Sequence, residues 1–327
     1  MKLPVRLIFL GSDAIALPLL DWLDLEGRAL AQIAGVFTQP DRATGRGQKV
    51  QPNAIKAWAL ARGLPVLQPE KVDDAVRVQL AGLDADLGLV MAYGHILRDD
   101  FIGTPRLGML NLHTSLLPKY RGASPIQSAI ASGDTATGVT LMRIVRRLDA
   151  GPLADAERVS IGPRDTAADV EARLGLACVP LLARALPRVV DGTISFIPQD
   201  DAAATYCRKL AKEDGGLDFA ASARSLAARI NGLFPWPGCT TEIAGQTVKV
   251  GLAEAVSAAT PAGMAGKAIG ADAEELLVGT GDGVLRLCRL QRPGGKMLSA
   301  AEFLRGFAVP AGTQLTARPM PPLVTKR

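Results

Sequence analysis

Val5-Arg6-Leu7-Ile8-Phe9-Leu10-Gly11 is a short apolar run, interrupted only by Arg6, that stops at a glycine. A strand buried in a parallel sheet and about to enter a turn reads this way. The chain after it alternates. Residues 14–25 are mostly apolar and of helix length. Residues 32–38 (QIAGVFT) are the next strand, and residues 54–62 read as a helix that Gly63 is placed to end. Residues 86–92 (DLGLVMA) are a buried strand closed by Tyr93-Gly94, and residues 108–113 and 138–144 are two more. Strands alternating with helices predict an α/β domain built on a parallel sheet with right-handed crossovers. Ligands of such sheets bind beyond the carboxyl ends of the strands. Asn111 and His113 fall at one such end, and Asp149 follows the end of the next strand.

The pattern then changes. Residues 166–190 are helical in pattern, and residues 191–204 are polar, small and turn-rich, as a connector would be. Residues 222–230 form a further helix. Beyond Pro237 come short strand-like runs, at 247–251, 276–279 and 284–290. Short strands at close spacing predict a small β-barrel or sandwich. The expected division is a catalytic domain over 1–190, a linker over 191–206 and a β-domain over 207–327. The tail from residue 319 is Pro-rich and basic, and is expected to fray.

A chain of 327 residues, 48% of them hydrophobic, has room for two domains with sizeable cores. Its net charge of +5 is unevenly placed. Through Tyr206, 22 Lys and Arg face 22 Asp and Glu; from Cys207 onward the count is 15 against 10. A basic lobe beside a neutral one suits a polyanionic partner such as nucleic acid. Cys178, Cys207, Cys239 and Cys288 are scattered, which leaves no zinc pattern or redox pair and fits a reducing cytoplasm. Lys2 and Arg6 precede apolar residues, but Gly11-Ser12-Asp13 breaks the run and no clean cleavage site follows. The start is therefore expected to be a strand, not an export signal. No other apolar run is long enough to span a membrane.

Several motifs fail. Gly11-Ser12-Asp13 is not a dinucleotide fingerprint, and Gly295-Lys296-Met297 lacks the spacing of a phosphate loop. Gly279 to Gly283 opens no helix; Asp282-Gly283 before an apolar run is a hairpin turn signal. No G-x-S-x-G elbow is present. What remains is a polar set on apolar strands. The chain has two histidines, His95 and His113, so any imidazole chemistry uses one of them. Asn111 and His113 are two apart in a strand and project from the same face. A carboxylate such as Asp149 near an imidazole would hold its tautomer and raise its pKa. An amide donor and an imidazolium together could stabilise the negative charge that develops in acyl transfer. His95 reads as a partly exposed loop residue.

These residues lie in a wider pattern. Asn111-Leu112-His113-Thr114-Ser115-Leu116-Leu117-Pro118 is followed by Tyr120-Arg121-Gly122-Ala123-Ser124-Pro125-Ile126-Gln127. Then come Gly138-Val139-Thr140-Leu141-Met142 and Leu148-Asp149-Ala150-Gly151. Phe37-Thr38-Gln39-Pro40-Asp41-Arg42, Gly45-Arg46-Gly47, Ala92-Tyr93-Gly94 and Pro235-Trp236-Pro237 accompany them. In this order, over essentially the whole chain, the sequence resembles the folate-dependent formyltransferases. The resemblance implies formyl transfer from 10-formyltetrahydrofolate, the donor co-substrate, to an amine, with no metal. It implies that Asn111 binds the formyl oxygen and that His113 polarises or protonates it. Asp149 would then orient His113 and assist proton removal from the amine, while Ser115, Leu116, Leu117 and Pro118 line the folate site. It further implies a Rossmann-like first domain and an OB-like second one, lying on RNA backbone. The segment holding Arg42, Arg46 and Lys49, with the C-terminal domain, points to initiator methionyl-tRNA as acceptor and so to translation initiation. The chain is expected to act as a cytoplasmic monomer with no membrane partner. An alternative keeps the donor and changes the acceptor to a small amine, a sugar nucleotide or glycinamide ribonucleotide. A non-catalytic RNA-binding role conflicts with the complete Asn111, His113 and Asp149 set. Two departures stand out: Arg146-Arg147 where the family commonly has a glycine before Leu148, and Ser12-Asp13-Ala14 in the first loop.

Overall fold

Arg6 apart, every residue of Val5–Gly11 (β1) is buried in a computed structural model that describes residues 4–44, 49–271 and 275–326. That burial places β1 inside a seven-stranded sheet. The other strands are Ala31–Phe37 (β2), Val66–Leu67 (β3), Leu87–Met91 (β4), Met109–His113 (β5), Ala136–Arg143 (β6) and Leu153–Ser160 (β7). Their spatial order is β7-β6-β5-β4-β1-β2-β3. β1 runs parallel to β2 and β4, β2 parallel to β3, and β4 parallel to β5. One strand departs from the all-parallel expectation: β6 is antiparallel to β5, pairing His113 with Thr140 and Leu110 with Arg143. The apolar run of β6 records burial, and burial is blind to strand direction.

The chain divides into two compact units. The first comprises Met1–Arg121, Gly138–Val159 and Ala172–Ala204; the second comprises Gly122–Thr137, Ser160–Glu171 and Thr205–Arg327. In the first, Ile8, Leu10, Phe37, Val90 and Met109 of the sheet meet Val76 and Leu80 of the helix Asp74–Gly82, and Phe101. Phe37 and Phe101 meet edge to face, their centroids 6.1 Å apart. Asp73 starts that helix by accepting from the Val76 amide at 3.1 Å. The long helix Ala167–Asp191 buries Leu174, Cys178, Leu181 and Leu182, and the Cys178 thiol lies 3.9 Å from the sulfur of Met91 on β4.

The second unit holds an antiparallel sheet of Cys239–Ile243 (β8), Gln246–Val256 (β9), Ala268–Ala271 (β10), Leu276–Gly279 (β11) and Val284–Gln291 (β12), in the order β8-β9-β12-β11-β10. Leu298–Ser299 adds to β12. The hairpin expected at Asp282-Gly283 joins β11 to β12, with Gly283 at φ 82°, where a side chain would be strained. The sheet curls into a half-barrel. Its two edges are bridged by one stretch of tail: Thr316 donates to Glu242 of β8, while Leu315 donates to Gly266 and Ala268 of β10 donates to Thr313. The helix Ala223–Gly232 covers one face, with Leu226 and Ile230 against Val250, Leu285 and Leu287. Asn231 fills a gap in the ladder where β9 bulges, exchanging hydrogen bonds of 2.9 and 3.0 Å with the Ala253 backbone. Among the described residues, no helix is long and apolar enough to cross a membrane.

Candidate active site

Alternation along β5 buries Leu110 and Leu112 on one face of the sheet and presents Asn111 and His113 on the other. His113 is 7% exposed. Its Nε2 lies 2.9 Å from the carbonyl oxygen of Tyr120. A carbonyl only accepts, so Nε2 carries a hydrogen and donates it, and Nδ1 is the basic nitrogen of the neutral ring. Nδ1 faces Asp149 Oδ2 at 3.8 Å. That is too long for a direct hydrogen bond and close enough for the carboxylate to steady an imidazolium. Asn111 is half-buried between Val90 and Met142, and its amide has no hydrogen-bond partner among the described residues.

Asp149 reaches His113 by a route that strand order does not suggest. Because β6 runs antiparallel to β5, its last residue, Arg143, ends beside Leu110, at the far end of β5 from His113. The chain then makes a closed excursion. It leaves as the Ile144 amide donates to the Met109 carbonyl and returns as the Arg143 amide donates to the Pro152 carbonyl at 3.0 Å. Gly151 pinches the neck, so close to Arg143 that a Cβ built there would lie 1.8 Å from the Arg143 carbonyl oxygen. Asp149 sits inside this loop with φ 47°, in the left-handed region.

Two residues with no role in the sequence reading hold that loop. Arg121 is completely buried. Its Nε and Nη2 donate to Gln199 Oε1 at 3.0 and 2.8 Å, and its Nη1 meets Asp201 Oδ1 at 2.8 Å. Gln199 Nε2 donates in turn to the carbonyls of Asp149 and Gly151, both at 2.8 Å. Arg147, one of the departures from the family pattern, reaches Asp201 Oδ2 at 2.7 Å. The two guanidiniums, Arg147 first and then Arg121, hold the Asp201 carboxyl below the ordinary carboxylate range. Of the residues expected as a connector, those through Ala204 thus cluster with the first unit.

The Ser115–Pro118 stretch is tied to β6. Thr140 Oγ1 donates to the Ser115 carbonyl at 2.6 Å and accepts from the Leu117 amide at 3.2 Å. The Ser115 hydroxyl is fully buried and donates to the Lys119 carbonyl at 2.6 Å, so it closes its own turn. Leu116 rests on Gly138 of β6; Leu117 is buried and Pro118 half-buried. At the carboxyl end of the neighbouring β4, Tyr93 and His95 pack edge to face at 5.0 Å. Burial pushes the Tyr93 phenol up. Tyr93 Oη and His95 Nε2 are buried without a hydrogen-bond partner among the described residues. Buried polar atoms are normally paired, so these two stand out at this end of the sheet. Of the candidate RNA contacts, Arg42 begins the small hairpin Arg42–Thr44/Lys49–Gln51; its guanidinium is exposed and pairs with Glu70 at 3.2 Å. Arg46 and the side chain of Lys49 lie outside the described residues.

An amide, an imidazole and a carboxylate beside one strand end of an open α/β sheet are groups suited to acyl transfer. Residues 5–186 match the formyl transferase family and residues 209–308 its C-terminal domain. The methionyl-tRNA formyltransferase of Sorangium cellulosum is 40% identical over 95% of this chain and 99% of its own; that of Parvibaculum lavamentivorans is 39% identical over 94% and 99%. The chain belongs to the methionyl-tRNA formyltransferase family. The fold is also shared with the N-formyltransferase of Helicobacter canadensis solved with folinic acid and dTDP-3-aminofucose, with a TM-score of 0.63, 17% identity, and coverage of 88% of this chain and 100% of that one.

Proposed function

We propose that the protein transfers the formyl group of 10-formyltetrahydrofolate to the methionine amino group of initiator methionyl-tRNA, with Asn111, His113 and Asp149 as its catalytic residues. One observation carries the assignment of roles: a buried His113 whose Nε2 is committed to Tyr120 and whose Nδ1 faces Asp149 at 3.8 Å, with the unpaired Asn111 amide on the same strand face. The donor supplies the formyl carbon, and the unpaired Tyr93, His95 and Asn111 groups fit a ligand as rich in polar atoms as a folate ring. Asn111 donates an amide hydrogen to the formyl oxygen as negative charge builds there. Asp149 and His113 Nδ1 receive the proton lost by the attacking amine, and the imidazolium so formed returns a proton to the departing nitrogen. The new carbon–nitrogen bond replaces the old one, so no oxidant or metal is needed.

The acceptor is assigned from the whole chain. Its relatives named for methionyl-tRNA match it through the second unit as well as the first. The C-terminal segment of that unit, from Cys207 onward, carries the chain's cationic excess, which suits phosphate backbone. A small amine acceptor accounts for this less well. Arg42, Arg46 and Lys49 are proposed to meet the tRNA, Ser115 to Pro118 to border the folate, and the protein to work as a cytoplasmic monomer. The test is formyl-methionine production from charged initiator tRNA and 10-formyltetrahydrofolate. His113→Ala should remove on the order of 10²- to 10³-fold of the turnover with the fold intact. A folded variant with near-wild-type turnover refutes the role of His113.

A further inference from the structure

We propose that Gln199 is a positioning residue for the reaction: its side-chain amide, aimed by the buried guanidinium of Arg121, holds the backbone of the 144–151 loop so that the Asp149 carboxylate stays beside His113. The inference rests on the roles proposed above for Asp149 and His113.

The geometry leaves the amide one orientation. Arg121 has only donors, so the atom facing it is the oxygen, at 3.0 and 2.8 Å; the carbonyls of Asp149 and Gly151 only accept, so the atom facing them is the nitrogen, at 2.8 Å from each. Two acceptor sites and two hydrogens are the full capacity of a primary amide, and all four are used. Arg121 is itself immovable, completely buried and tied to Asp201 as well. The loop needs such a hold. Asp149 is in the left-handed region, where a residue other than glycine is strained by about 1–2 kcal/mol and persists only when its surroundings impose it. Gln199 supplies two hydrogen bonds to this backbone, directly on the Asp149 and Gly151 carbonyls. The Arg147–Asp201 pair straps the same loop to the same segment two residues further on. A carboxylate 3.8 Å from its imidazole is sensitive to small shifts, because a displacement of about 1 Å at a catalytic group can cost on the order of 10²-fold in rate.

Gln199→Glu separates the two ends of the device. Its carboxylate still accepts from Arg121, but it has no N–H for the Asp149 and Gly151 carbonyls and sets oxygen against oxygen there. The full-length variant should remain folded, with a melting temperature lowered by roughly 5–10 °C at most. Its kcat should fall by roughly tenfold or more, while KM for charged tRNA and for 10-formyltetrahydrofolate moves by less than about threefold. In an Asp149→Ala background, Gln199→Glu should cause no further loss, because a residue acting through Asp149 has nothing left to position. Amide hydrogen exchange should rise at residues 147–151 and stay unchanged along β5, and Gln199→Leu should give the same exchange pattern. Equal fractional losses in both backgrounds, or wild-type exchange in the loop, overturn the proposal. Failure of the underlying reading looks different: there, Asp149→Ala alone retains wild-type turnover. An impaired Asp149→Ala beside an unimpaired Gln199→Glu refutes only the role of Gln199.

Discussion

Gly151→Ala should cripple the enzyme through its backbone alone. A Cβ at this position would lie 1.8 Å from the Arg143 carbonyl oxygen and 2.9 Å from its carbon, and Cβ contacts under 3.0 Å essentially do not occur. Neither partner is a side-chain end that could swing away; both are backbone, so the neck of the 144–151 loop must open. Opening it stretches the Arg143–Pro152 hydrogen bond of 3.0 Å and pulls the Gly151 carbonyl from Gln199. A disrupted hydrogen bond with a partner left unmatched, together with the overpacking itself, amounts to about 2–4 kcal/mol. For a unit of this size that lowers the melting temperature by roughly 5–15 °C. Asp149 is two residues from the clash, so turnover should fall on the order of 10²-fold while donor affinity holds near wild type. The assay pairs thermal unfolding with kcat on charged tRNA. Gly82→Ala is the matched control: Gly82 ends the helix Asp74–Gly82 with nothing within 4 Å of its Cβ position, so alanine there should be neutral or stabilising by up to about 1 kcal/mol. If Gly151→Ala melts and turns over like the Gly82→Ala control, the neck is not tight and the account of how Asp149 is placed fails.

Two further outcomes concern the rest of the chain. Asp214 is 1% exposed and accepts from Arg208 Nη1 and Nη2 at 2.9 and 2.5 Å and from the Ala211 amide at 2.7 Å. Burial pushes its carboxyl up, but Arg208 and the Ala211 amide outweigh burial and hold it below 3.8. A depressed folded value means the stabilisation is complete above the unfolded value and is lost as pH falls through the folded one. Asp214→Asn should therefore cost about 2 kcal/mol at neutral pH, with the gap to wild type closing below about pH 4; a gap that stays constant in acid contradicts this. Burial also pushes the Cys178 and Cys239 thiols up to about 12, and Cys207 is buried. A disulfide reagent at neutral pH should reach Cys288 slowly and the other three only in denaturant; rapid labelling of any buried thiol in the native protein argues against this packing.

The sheet was largely legible because burial writes itself into short apolar runs. Val5–Gly11, Leu87–Met91 and Met109–His113 lie within a residue of where the pattern puts them. Strands without such runs were not legible. Leu153–Ser160 is an edge strand, half-exposed along most of its length, and its LADAERVS carries no apolar alternation to read. Direction was equally silent. The 22 residues between β5 and β6 are enough for a crossover and contain the helix Pro125–Ala131, yet β6 pairs antiparallel.

That reversal changes what Asp149 depends on. Read from strand order, Asp149 nears His113 because adjacent parallel strands end on the same side. In the fold, β6 ends on the wrong side, and the approach is achieved by a loop that turns back on itself. A strand end is held by its ladder; a loop tip is not. The tip therefore has to be held by side chains, and Gln199, 78 residues from Arg121 and 50 from Asp149, is one of them. Nothing local marks Gln199: it stands among polar, turn-rich residues of the kind that usually solvate a connector. Arg121 offers a faint signal, since an arginine between Tyr120 and Gly122 reads as surface until burial shows otherwise, and a fully buried arginine must have partners. Asn111 and His113 could be read from their spacing on one strand, but the hold on Asp149 could not. It follows that variants of Gln199 and Gly151 should converge on one phenotype, a folded protein with low kcat, although neither residue carries a titratable group.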